Sequence, residues 1–213
     1  MKKLIVMFTN LLLAAQFIQA QGIIYVSNLA QPSSGSDAVG SDSWYADEFK
    51  TGTNVGGYTL DSIQLAMTNA SGTPSGFVVM VYSAIVGAGV SPGSSLGTLD
   101  GSNNPFTAGI YTYASASTLT LSPSTYYFIV LTAGTTVATG AYEWIFANTG
   151  SFNSYNPSDG WIGEGPAYSS NGSSWSSISS AYPQFAITAT PIPEPSSLAL
   201  LGLGGLFFTR RRK

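Results

Sequence analysis

The sequence contains no cysteine and no histidine. Without cysteine there is no disulfide framework, no thiol nucleophile and no thiolate metal ligand, so packing alone must hold the fold. Without histidine there is no Ser-His-Asp triad, no imidazole general base and no ordinary zinc site. Charge is sparse as well, at 8% of residues. Six of the seven cations, Lys2, Lys3, Arg210, Arg211, Arg212 and Lys213, stand at the chain ends. Lys50 is the only cation between residues 21 and 190, against the acids Asp37, Asp42, Asp47, Glu48, Asp61, Asp100, Glu143, Asp159 and Glu164. That stretch is therefore strongly acidic, which excludes a nucleic-acid partner, because phosphate neutralisation needs Lys and Arg. No cofactor is expected.

The two ends are built alike. Residues 1–20 begin with Lys2 and Lys3, continue as an apolar core over 4–15, and end with Ile18 and Ala20 at the −3 and −1 positions of a cleavage site. This is the pattern of a secretory signal peptide. Residues 191–213 read P-I-P-E-P-S-S-L-A-L-L-G-L-G-G-L-F-F-T-R-R-R-K. The apolar run at 198–208 would reach about 16 Å as a helix, against about 30 Å of bilayer hydrocarbon. It is a short transmembrane stop rather than a comfortable span, held by Arg210, Arg211, Arg212 and Lys213 on the cytoplasmic side. Prolines on both sides keep Glu194 in extended backbone just outside the membrane, a shape that a membrane protease can grip.

This order of parts resembles the PEP-CTERM sorting signal of Gram-negative bacteria, with Pro193, Glu194 and Pro195 as the tripeptide. The resemblance implies transient anchoring in the inner membrane, recognition by exosortase (a membrane transpeptidase or protease) and loss of the tail.

Between the signals, residues 21–190 are long enough for one domain with a proper core. Residues 58–68 are the clearest strand: Ile63, Leu65 and Met67 share one face, while Tyr58 and Leu60 fall in the other phase. That slip predicts a bulge near Asp61 and Ser62. Residues 77–84 and 125–132 are apolar on both faces, as central strands are. Shorter β-prone runs lie at 23–27, 44–51, 96–99, 111–114, 119–121, 142–148 and 182–189. Residues 29–43 and 148–180, rich in Gly, Ser and Asn or Asp, read as loop. About eight to ten short strands with turn signals between them predict an all-β domain, an antiparallel β-sandwich of jelly-roll-like form. A parallel β-helix is the second choice, but no fixed repeat period supports it.

The runs D-E-F-K-T-G (47–52), Y-T-L-D-S-I-Q-L (58–65), V-Y-S (81–83), P-G-S-S-L-G-T-L-D-G (92–101), L-S-P-S-T-Y-Y-F (121–128) and P-Q-F-A-I (183–187) resemble the choice-of-anchor ectodomains, of the R type. These are bacterial surface domains found with interchangeable C-terminal anchors. The resemblance implies location and fold rather than chemistry.

Three groups of residues are candidates for function. Trp44, Trp144, Trp161 and Trp175 are the tryptophans. Trp161 and Trp175, in polar loops, are the expected sugar contacts, since a flat ring covers the apolar face of a pyranose; Trp144, inside a strand, belongs in the core. Asp37, Asp42, Asp47 and Glu48 are a calcium candidate without EF-hand spacing. Glu143 with Glu164 or Asp159 is a candidate for a glycosidase acid and base pair. The expected function is that of an exported, non-enzymatic surface or extracellular-matrix protein. Attachment to extracellular polysaccharide through the loop tryptophans is the alternative.

Overall fold

A computed structural model of the protein describes residues 22–87, 89–101, 103–154, 159–179 and 181–193. The signal peptide expected at 1–20, the sorting helix at 198–208, and Glu194, Pro195 and Arg210 to Lys213 lie outside the described residues. The strands are β1 (Ile23–Ser27), β2 (Gly35–Val39), β3 (Trp44–Lys50), β4 (Tyr58–Gly72), β5 (Val78–Val86), β6 (Val90–Gly101) and β7 (Gly109–Leu121). They continue as β8 (Tyr126–Thr132), β9 (Gly140–Ala147), β10 (Asn153–Ser154), β11 (Ile162–Ser169), β12 (Ser176–Ser177), β13 (Tyr182–Pro183) and β14 (Phe185–Pro191). Among the described residues no helix is long and apolar enough to cross a membrane.

All the strand pairs are antiparallel. They form one strip in the order β10-β1-β14-β4-β7-β6-β5-β8-β3-β11-β12, with β9 pairing β4, β2 and β13. The run β4-β7-β6-β5 is a Greek key: three hairpin-connected strands, with β4 returned beside the last of them. The strip doubles over, so that a β4 layer (β1, β14, β4, β9) and a β8 layer (β5, β8, β3, β11) share one core in a sandwich-like arrangement. Ile63, Leu65 and Met67 of β4 and Phe185 and Ile187 of β14 bury against the inward residues Val79, Val81, Ile129, Leu131 and Phe49 of the other layer.

The bulge expected in β4 is present. The β4–β7 register slips between Leu60 and Ser62, and β14 slips opposite it between Thr188 and Ala189. The extra residue restores the phase, so Tyr58, Leu60, Ile63, Leu65 and Met67 are all buried. Strand β8 is central, between β5 and β3. Its outward residues Phe128 and Val130 are buried too, in a second apolar cluster with Ala46, Met80 and Ala167. That cluster is why residues 77–84 and 125–132 are apolar on both faces.

Two expectations are corrected. The stretch 29–43 is not all loop: β2 pairs β9 from Gly35↔Phe146 to Val39↔Tyr142. The polar stretch 148–180 contains the eight-residue strand β11, paired along β3. Neither shows apolar alternation, because each is half-covered and its pairing comes from the backbone.

Candidate binding face

The alternation of β3 divides its side chains between two worlds. Tyr45, Asp47 and Phe49 point inward; Trp44, Ala46, Glu48 and Lys50 point outward. Beside β3, strand β11 pairs Gly163 with Phe49 and Pro166 with Asp47, a three-residue step against a two-residue step. The resulting bulge sets Glu164 and Gly165 opposite Glu48. The backbone of Ile178, just past β12, donates to the Pro166 carbonyl at 2.9 Å and brings that segment over the same place. The outcome is a cavity of about 260 Å³ on the outer face, lined by Glu48, Val90, Tyr126, Phe128, Glu164, Pro166, Ser177 and Ile178 among others.

Glu48 is only 8% exposed, and none of the described residues donates a hydrogen bond to its carboxylate. Burial, and secondly the charge of Glu164, push its pKa up to about 7. The Lys50 ammonium does not neutralise it but lies 4.9 Å from the centre of the Tyr126 ring, a cation–π contact. Next to the cavity, Trp44, Tyr82 and Trp175 are half-buried against the outer apolar cluster. The Trp44 indole N–H donates to the Ser41 carbonyl at 3.0 Å. Its ring carries the loop leading to Trp175: Gly172, at φ +71°, lies so close that an added Cβ would stand 2.9 Å from the indole. The Ser169 hydroxyl accepts from the backbone N–H groups of Asn171 and Gly172, and the Asn171 side-chain oxygen accepts from those of Ser173 and Ser174.

The placement of Trp161 corrects the sequence reading. It is 1% exposed, stacked on Tyr25 at 4.8 Å and on Phe49 at 6.0 Å, with Tyr58 edge-on at 4.9 Å. It bridges the two layers and offers no ring to a sugar. Gly52 allows this packing, since a Cβ there would meet the Trp161 ring and the Tyr58 hydroxyl. The polar neighbours of Trp161 in sequence concealed its burial. Trp144 lies in the core as expected, with its indole N–H donating to the Gln184 carbonyl at 3.0 Å. Trp175 stands on the outer face, half-buried.

The carboxylates predicted to act together are dispersed. Asp42 accepts from the Val137 backbone N–H at 2.8 Å in an exposed turn. Asp37 lies on β2, its pKa raised chiefly by burial and lowered by a hydrogen bond from Tyr45. Asp47 is fully buried. Among the described residues no three acidic side chains stand close enough to share a metal ion. Glu143 accepts from Ser36 at 2.9 Å on β9, whereas Asp159 acts near Trp161, where the Tyr25 hydroxyl is pushed up to about 12 chiefly by burial and secondly by the Asp159 charge. The structure therefore pairs Glu164 with Glu48, not with Glu143 or Asp159. Sequence reasoning missed that pair, although strand alternation alone separates Glu48 from Asp47.

The domain is tied down to the edge of the sorting segment. Ile192 donates its N–H to the Gly57 carbonyl at 3.0 Å, and its own carbonyl accepts from the Asn54 amide at 3.0 Å. Pro193 follows, exposed.

Residues 191–213 match the PEP-CTERM protein-sorting motif. A segment of this kind indicates export, sorting to the cell envelope and handling by exosortase. No curated protein and no solved structure matches the chain.

Proposed function

We propose that the protein is a non-enzymatic surface or extracellular-matrix protein, held briefly in the inner membrane and then cut by exosortase at or beside Pro193-Glu194-Pro195. The sorting motif that begins as the last strand ends carries this reading. The cations Arg210 to Lys213 resist transfer and stall the chain while Glu194 is outside. The likeness of residues 47–187 to choice-of-anchor ectodomains, and the jelly-roll-like winding that goes with it, belong to the same reading. Intact-mass measurement of the surface-exposed protein from its native host tests it. The expected mass lacks residues 198–213; a mass that includes them makes the tail a permanent anchor and overturns the proposal.

A second reading is favoured by the outer face, where Trp44, Tyr82, Tyr126 and Trp175 gather on one side of the β8 layer. Aromatic rings flanked by amides and hydroxyls suit a polysaccharide of the extracellular matrix. Trp175 takes over the role that the sequence divided between Trp161 and Trp175. In a polysaccharide pull-down, Trp175→Ala is expected to weaken binding by about 1–3 kcal/mol, by analogy with stacking on nucleic-acid bases. Unchanged binding would remove Trp175 from the role.

A further inference from the structure

The feature that neither packing nor sorting explains is Glu48. A glutamate that is more than nine-tenths buried usually has a cation or several N–H donors to hold its head; the Glu48 carboxylate keeps its remaining exposure toward the cavity. Glu48 has neither from the described residues, and its nearest charged neighbour on β11 is another carboxylate, Glu164. Lys50, two residues along the same face, is engaged with the Tyr126 ring. The cavity walls are Tyr126, Phe128, Val90 and Ile178. Two acids and the Tyr126 ring in one lining describe a ligand with a positive charge on a flat apolar body. At about 260 Å³ the space is smaller than the roughly 300–1,000 Å³ of drug-sized ligand sites, so it suits one small ring rather than an extended chain. An anion would meet like charge, and a neutral sugar would leave the acids unanswered. A bare calcium ion wants about six to eight oxygens, more than two carboxylates supply. The surrounding acidic domain also attracts cations.

We propose that this cavity binds a protonated amino sugar, its ammonium between Glu48 and Glu164 and its ring against Tyr126. The proposal rests on the polysaccharide reading above and names its ligand class: a glycan with free amines, as distinct from a neutral, acetylated or acidic one.

The test is calorimetric titration of the detergent-solubilised full chain with a β-1,4-linked glucosamine tetramer, its N-acetylated counterpart and a glucose tetramer, at low and high salt. The glucosamine tetramer is expected to bind, and added salt to weaken it. Glu48→Gln and Glu164→Gln are each expected to weaken it by about tenfold or more, the loss of one charge-assisted hydrogen bond. Glu164 is exposed, so its variant keeps the fold even if Glu48→Gln does not. If all three tetramers bind equally, depend on Trp175 and ignore both glutamine variants, the amine site is wrong and the polysaccharide reading stands. If no glycan binds, both fall. Calcium chloride alone giving the same glutamate-dependent heat would make this an ion site and overturn the assignment.

Discussion

Two adjacent residues of β3 show how strongly a strand separates chemistry. Asp47 faces the core. One of its oxygens accepts from the Glu48 backbone N–H at 2.8 Å, and the other has no hydrogen-bond partner. Burial pushes its pKa well above the ordinary carboxylate range. Glu48 faces the outer cavity and is raised to about 7. Both groups favour the protonated form when folded, so the native state binds more protons than the unfolded chain. Their contribution to stability is complete below the ordinary carboxylate pKa values. For Glu48 it is lost between about 4.5 and about 7, and for Asp47 it is lost as pH climbs further toward its raised value. Denaturant midpoints are accordingly expected to fall from pH 4.5 to pH 8. Asp47→Asn should flatten the upper part of that decline; an unchanged slope in this variant would show that Asp47 is not the group responsible.

At the scale of elements, the first turn after β1 acts as a latch. The fully buried side-chain amide of Asn28 donates to the Pro183 carbonyl at 2.9 Å, and its oxygen accepts from the Phe185 N–H at 2.7 Å. Gln184 adds a bond to the Gln31 carbonyl at 2.7 Å. The entrance to β14 is therefore fixed by a residue 157 positions earlier. Asn28→Ala leaves a buried N–H and a buried carbonyl without partners and is expected to cost about 2–3 kcal/mol, read as a lower denaturant midpoint. A loss below a few tenths would mean that the strand seats itself without the latch. This long-range bond is of the kind that a sequence does not display. The strands with strong local pattern were legible: β4 with its bulge, and β5 and β8 with two apolar faces. Strand β11 was not, because Gly163, Glu164 and Gly165 give no alternation and its place is set by β3. Trp161 misled for the same reason, since its burial comes from Tyr25, Phe49 and Tyr58, all far away along the chain. The Glu48–Glu164 pair needs that β3–β11 pairing before it exists at all.

The whole molecule is a sandwich-like domain that carries acids almost without cations. Between residues 21 and 190, Lys50 stands against nine Asp and Glu. Self-repulsion of this kind weakens as salt screens it, the Debye length falling from about 30 Å at 0.01 M to about 10 Å at 0.1 M. The thermal midpoint is expected to rise over that range of sodium chloride; a midpoint that falls would point to attractive surface pairs instead. The order of the strip has another consequence. Its two ends are the two-residue strands β10 and β12, and the short side strand β2 carries Asp37. The ladders of β4, β5 and β8 lie between neighbours, whereas β6 meets β7 only at Leu99, Asp100 and Gly101, which leaves its stretch from Val90 to Thr98 with an open outer edge. That edge is interrupted by Pro92 and by two register shifts against β5, so a copy arriving from outside meets stubs, a negative charge and a broken edge rather than a flat ladder on which to add itself. Many copies can crowd at one surface and still remain separate molecules, free to be spaced by whatever they bind.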